Sequence, residues 1–319
     1  MKFRTEISIP ASPAKIEHGE KIITIGSCFA ENMGEKFGYY YFNVLSNPFG
    51  VLYNPVSIYN ALDLALSGRE FGEKDLFYDK NEWHSFFHHS EFSNYDLNEC
   101  LLRINNRSKE VNNFIKEAGW IILTLGTSFV YRHIERGIIV SNCHRIPADR
   151  FAKILLSPAE SENYLDKTIS LLRNANNKLN IILTVSPVRH IKDGFAENQL
   201  SKSSLAIAVH NSIKKNDNVF YFPSYEIVMD DLRDYRFYAD DMLHPSDSAV
   251  RYIWDIFAQS FMTDETLKLK MQMEQLSADL AHRPLHPMSG EYKLFLHHLE
   301  KRRENIIRQY PFLAERLQK

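Results

Sequence analysis

The sequence predicts an α/β fold: a three-layer, flavodoxin-like, mostly parallel sheet of about five strands with helices on both faces, followed by a C-terminal helical appendage. Three observations carry this expectation. Four short apolar runs, 21–25, 120–125, 181–185 and 218–222, are rich in β-branched and aromatic residues and lack strict alternation. That is the pattern of strands buried on both faces. Helical patterns lie between the runs, as parallel crossovers require. Each run also stops at a small or turn-forming group: Gly26-Ser27-Cys28, Gly126-Thr127-Ser128, Ser186-Pro187 and Pro223-Ser224.

The elements follow in order. Run 21–25 is a strand, and Glu31–Phe37 beyond its turn is helical. Residues Tyr41–Leu45 form a weaker strand. Asn54 caps a helix over Pro55–Leu66, with Pro at its first position. Residues 67–104 hold Trp83, His84, Phe86, Phe87, His88 and His89 with little periodicity, and read as a long ordered insertion over the carboxyl edge of the sheet. A helix over Ser108–Ala118 presents Val111, Phe114 and Ile115. Past the run 120–125, Phe129–His133 and Gly137–Ser141 predict a small hairpin around Glu135-Arg136-Gly137. Ser157-Pro158 opens a helix to about Leu172, and Lys202–Ile213 and Ser246–Phe261 supply two more. From Thr263 the character changes: 267–280 is helical, Pro284 and Pro287 break it, and 292–317 resumes a charged helical pattern. The α/β domain is therefore expected over 1–262. The appendage, 263–319, either packs on that domain or pairs two copies of the chain as a homodimer.

Bulk properties narrow the function. The 38 basic and 40 acidic residues leave no positive excess for nucleic acid, and no basic block suits an anionic membrane surface. No stretch is apolar for the ~18 residues of a spanning helix, and the N-terminus lacks the pattern of a secretory leader. Cys28, Cys100 and Cys143 are odd in number and widely spaced, so neither a disulfide framework nor a paired-cysteine zinc site is expected. A reducing, cytoplasmic setting follows, with the periplasm as the alternative.

Two constellations can carry chemistry. Gly26-Ser27-Cys28 lies between a strand and a helix, where main-chain N–H groups and the helix dipole favour negative charge and lower a thiol pKa. A hydroxyl or thiol there is placed as a nucleophile; the plainer alternative is a tight turn with an inert cysteine. Asp241-Met-Leu-His244 precedes a helix that Ser246 can cap, and in a turn the carboxylate can hold one imidazole nitrogen while the other faces a substrate. Both constellations belong on the carboxyl edge of one sheet, where ligands of such sheets bind.

This arrangement resembles the SGNH (GDSL-type) hydrolase superfamily. More closely, Gly26–Ala30 spells the name of the GSCFA family, and further stretches are similar to that family: Asn47–Pro55, His88-His89-Ser90, Leu123–Ser128, Asn142-Cys143-His144 and Ser186-Pro187-Val188. The resemblance covers about residues 20–260. It implies a nucleophile in the first block: laying the superfamily's Gly-Asp-Ser on Gly26 puts Cys28 at the nucleophile position, and a register one residue earlier puts Ser27 there. Cys28 is preferred. It implies Gly50 as a second-block oxyanion N–H donor. The third block, Gly-x-Asn-Asp in the superfamily, reads Gly126-Thr127-Ser128-Phe129 here, so the oxyanion Asn is missing, and Ser128 or Asn142 is the substitute. The last block matches at Asp241 and His244.

The remaining candidates concern the pocket. His84, His88, His89 and His144 match no standard metal spacing and are read as polar pocket or loop groups, with no metal or cofactor expected. Arg189 follows a strand end and is placed either to bind an acidic substrate group or to sit in solvent. The leading expectation is hydrolysis of an ester or thioester of a small substrate, with an acylated carbohydrate as the family-level choice. The alternatives are a non-hydrolytic protein binding a carbohydrate or cell-wall fragment, favoured by the missing Asn, and an acyltransferase using the same residues.

Overall fold

The computed structural model describes residues 4–317. Five parallel strands form the central sheet: β1 (Lys21–Gly26), β2 (Asn43–Ser46), β3 (Trp120–Leu125), β4 (Asn180–Val185) and β5 (Val219–Tyr221), in the order β5-β4-β3-β1-β2. All carboxyl ends therefore meet on one edge, and the chain reverses its direction of strand addition between β1 and β3. The expected α/β architecture is present.

Alternate residues along each strand feed two different cores. Ile22, Trp120, Ile122 and Ile182 pack with helix α1 (Cys28–Tyr39) through Phe29, Met33 and Phe37. Ile23, Ile25, Ile121, Leu123, Ile181 and Leu183 pack on the other face against α2 (Pro55–Leu66), α3 (Leu97–Glu117), α4 (Pro158–Ala175) and α5 (Phe195–Lys215). Helix α6 (Asp247–Phe261) completes the α1 side with Ile253, Trp254 and Phe257. This double burial explains why the strands read as continuous apolar runs.

Several boundaries differ from expectation. Helix α3 begins at Leu97 with Asp96 as cap, so 67–104 is not one insertion and its last residues belong to a crossover helix. Helix α5 begins seven residues before Lys202, after Gly194. The hairpin Phe129–His133 with Ile139–Val140 gains a third, antiparallel strand, Phe151–Leu155.

Beyond α6, helices α7 (Asp264–Leu280) and α8 (Gly290–Gln309) lie against the α1 face: Leu269, Met273, Leu276 and Ile306, with Leu313 of the turn Pro311–Leu313, join the cluster that holds Phe37 and Tyr40. No helix among the described residues is long and apolar enough to cross a membrane.

Candidate active site

The site grows from the end of β1. Gly26 has φ +147, and any Cβ there would collide with the Thr124 carbonyl of β3, so only glycine lets the two strands stay adjacent while the chain turns. The next residue, Ser27, is fully buried. Its N–H donates to the Thr124 carbonyl at 3.0 Å, and its Oγ accepts the Phe29 N–H at 3.3 Å as the N-cap of α1. Asn47, just past β2, braces the turn from the other side. Its Oδ1 accepts the Gly26 N–H at 2.8 Å and its Nδ2 donates to the Ser27 carbonyl at 3.5 Å.

Cys28 is thereby the first residue of α1, half-buried, at the positive end of the helix. Among the described residues its N–H meets no acceptor. Across from it stands the turn 238–245, closed by the Ala239 N–H to the His244 carbonyl at 2.8 Å. Within this turn Asp241 Oδ1 accepts the N–H groups of Leu243 (2.9 Å) and His244 (3.0 Å), and Oδ2 accepts His244 Nδ1–H at 2.6 Å. With Nδ1 committed to the carboxylate, His244 Nε2 is left to accept, and it lies 3.4 Å from Cys28 Sγ. The structure thus brings Cys28, His244 and Asp241 into line and leaves Ser27 out. Its hydroxyl is fully buried and accepts the cap hydrogen bond, and the His244 ring nitrogen pairs with Cys28 instead.

The electrostatics are mixed. The three hydrogen bonds hold the Asp241 carboxyl down to about 2. Burial pushes the Cys28 thiol up, and Glu31 adds to that; the Cys28 and Phe29 N–H groups and Lys202 pull the other way. The helix N-terminus therefore does not win, and burial favours the thiol form of Cys28.

Lys202 went unread in the sequence except as part of an amphipathic helix. It is fully buried, and its Nζ donates to the carbonyls of Gly126 and Ser186, both at 2.7 Å, at the carboxyl ends of β3 and β4. A signal existed: Asn198, Lys202, Leu205 and Val209 share the buried stripe of α5, where a charged residue is out of place. Tyr53 and His190 were missed as well. Their rings meet edge to face at 5.4 Å beside Gly126, and the His190 Nε2 has no partner among the described residues.

The other expected donors are committed elsewhere. The Gly50 N–H closes a turn to the Asn47 carbonyl at 2.8 Å, and the Gly126 N–H goes to the Tyr53 carbonyl at 2.7 Å. Ser128 is buried, with its N–H and hydroxyl on Ser201. Gly50 and Ser128 therefore do not present the oxyanion donors read from the sequence, and the Gly126 N–H of the third block is engaged as well. Asn142 lies in a loop whose N–H reaches the Phe86 carbonyl, and its Oδ1 accepts the His144 N–H at 2.8 Å. His88 and His144 are buried against Ser85, through its Oγ at 2.9 Å and its carbonyl at 2.8 Å. They stiffen the 67–104 segment rather than line an open pocket. Among the described residues no group of three or more His, Cys, Asp or Glu is placed to hold a metal ion. Arg189 lies over the Tyr238 ring and donates to the Met242 carbonyl, bracing the turn that carries His244.

Comparison with known proteins gives two family matches. The GSCFA family matches residues 21–257, and the GSCFA domain protein, C-terminal domain, matches residues 273–318. No curated protein matches the chain. Among solved structures, a carbohydrate esterase family 3 protein from Talaromyces cellulolyticus is 9% identical with a TM-score of 0.34, over 80% of this chain and 99% of that one. A family 3 carbohydrate esterase from Clostridium thermocellum is 11% identical with a TM-score of 0.33, over 79% and 97%. A variant of Axe2, an acetyl-xylooligosaccharide esterase from Geobacillus, is 12% identical with a TM-score of 0.36, over 77% and 95%. Likeness this slight transfers neither substrate nor chemistry.

Proposed function

This chain belongs to the GSCFA family, and we propose that it is an acyl hydrolase acting on an ester or thioester through Cys28, His244 and Asp241. The observation that carries the proposal is the 3.4 Å approach of Cys28 Sγ to His244 Nε2, with Asp241 holding the opposite ring nitrogen at 2.6 Å. The thiol gives its proton to Nε2 as sulfur bonds to the acyl carbon and the carbonyl π pair moves onto oxygen. Collapse restores the carbonyl and expels the alcohol or thiol, which takes the proton from His244. Water then attacks the acyl-cysteine and loses a proton to His244. Collapse breaks the C–S bond, releases the acid and returns the proton to sulfur. Asp241 holds the tautomer and stabilises the imidazolium in both halves. The Cys28 N–H, at the head of α1, is the donor offered to the oxyanion.

The substrate we favour is a small acylated carbohydrate. Tyr53, 38% exposed beside His190, offers a ring on which a sugar can stack. Transfer to a sugar hydroxyl instead of water would use the same residues. A binding protein without turnover is the second reading, favoured by the commitment of the Gly50, Gly126 and Ser128 donors within the fold.

The test is turnover of short-chain p-nitrophenyl esters and thioesters by the purified chain, with intact-mass detection of an acyl adduct. We expect turnover that His244→Ala abolishes and an adduct that Cys28→Ala removes. Absence of both turnover and adduct in the wild type overturns the proposal.

A further inference from the structure

Among the described residues Lys202 has no neutralising partner of its own. Its two acceptors are carbonyls, and among the described residues no carboxylate acts on it and the one group that favours its charged form is Cys28. A buried ammonium without a counter-charge is costly. On the core stripe of α5, between Asn198 and Leu205, an apolar side chain would fill the same space without that cost. The placement is also specific. Gly126 follows directly on β3, whose Thr124 carbonyl fixes the Ser27 N–H, so the ammonium sits one strand away from the turn that presents Cys28.

We propose that Lys202 is a positioning residue: a buried amine, one strand away from the turn that presents Cys28, whose charged form favours the thiolate. The inference rests on Cys28 as the attacking group of the reading above. The groups facing Cys28 are Glu31 from its own helix, Tyr53 from the loop before α2, His244 from the turn before α6 and Lys202 from α5. Glu31 opposes ionisation and Lys202 supports it. Facing Lys202 are Cys28, the Tyr225 ring at 5.6 Å and His190. His190 is pushed down to about 4, by burial first and by Lys202 second, so it stays neutral and adds no competing charge. Burial likewise brings Lys202 down to about 7, where its protonation responds to the charge on the sulfur.

The test does not need ester turnover. Alkylation of Cys28 by iodoacetamide is followed by peptide mass spectrometry from neutral to alkaline pH, in wild type and Lys202→Gln. Glutamine keeps two N–H donors for the two carbonyls and removes the charge. We expect the apparent thiol pKa to rise by about one unit, seen as roughly tenfold slower alkylation near neutrality. Superimposable profiles in a folded Lys202→Gln protein overturn the inference. If that variant does not fold, the coupling is read in reverse: lysine-side-chain carbon NMR of wild type and Cys28→Ala. Reciprocity requires the Lys202 titration to move to lower pH when the sulfur is removed, and an unmoved titration overturns the inference equally. Both shifts without any ester turnover would sink the hydrolase reading while leaving Lys202 in its role.

Discussion

Asn47 Oδ1 accepts the Gly26 N–H at 2.8 Å, tying the loop after β2 to the last residue of β1. The same amide reaches the Ser27 carbonyl, so one side chain from a neighbouring strand holds the turn that presents Cys28. Asn47→Ala leaves the buried Gly26 N–H unmet, a loss of about 1–3 kcal/mol. We expect a lower melting temperature together with slower Cys28 alkylation, because the turn loses its brace. Unchanged melting and alkylation would show that the turn is held without Asn47.

Asp241 makes a sharper case because its two oxygens do different work. Oδ1 shapes the turn through two N–H groups, and Oδ2 sets the imidazole tautomer. Asp241→Asn can keep the first and not the second: an amide N–H facing Nδ1 forces the proton onto Nε2, which then can no longer accept from sulfur. A loss of turnover on the order of 10²–10⁴ with unchanged melting is the expected outcome. Asp241→Ala should add disorder of the turn and a lower melting temperature. The carboxyl is depressed to about 2, so its contribution is complete above the unfolded value and is lost only as pH falls toward 2. An acid limb near pH 4–5 in a pH–rate profile therefore has another source. If Asp241→Asn retains wild-type turnover, the tautomer argument fails.

Much of this site is legible in the sequence because local chemistry enforces it. Gly26 must be glycine at its φ, strands buried on both faces must be apolar throughout, and an Asp-x-x-His turn closes on itself. What stays hidden depends on tertiary partners. Ser128 reads as a donor until Ser201, 73 residues later, takes up its hydroxyl. Helix α3 is read only in its second half: its stripe of Cys100, Ile104, Ser108, Val111 and Ile115 passes through a serine that looks like a cap. The strand Phe151–Leu155 is too short and too exposed to stand out, and it forms by pairing with Phe129–His133. Lys202 is recognisable in hindsight as a charge on an apolar stripe, but its partners are main-chain carbonyls that no side-chain pattern announces.

Buried histidines predict the acid sensitivity of the fold. Burial holds His18, His144 and His190 down to about 4 and His88 to about 3, against an unfolded value of 6.5. Between those values the unfolded chain binds more protons than the folded one, so stability is present above about pH 6.5 and is lost as pH falls. We expect the melting temperature to drop steadily from pH 7 to pH 5, with protons taken up on unfolding. His88→Gln should flatten the slope, because the amide can still meet Ser85 without titrating. A melting temperature that is level across this window would contradict the burial of these rings.

The C-terminal helices bear on the site from the far end of α1. Ser277 Oγ donates to the Tyr39 carbonyl at 3.1 Å and Arg316 to the Tyr41 carbonyl at 2.8 Å, so α7 and the chain end satisfy carbonyls at and just past the carboxyl end of the helix whose first residue is Cys28. Leu269, Met273, Leu276, Ile306 and Leu313 also cover Phe37 and Tyr40. At about 1.5–3 kcal/mol for each large apolar side chain buried, their removal costs as much as the whole margin of about 5–15 kcal/mol that holds a typical domain folded. A chain ending at Met262 should therefore be poorly soluble, bind a hydrophobic dye and melt broadly at low temperature. If instead it melts cooperatively within a few degrees of the full chain, the helices are dispensable to the α/β fold, and their role must be sought in a partner.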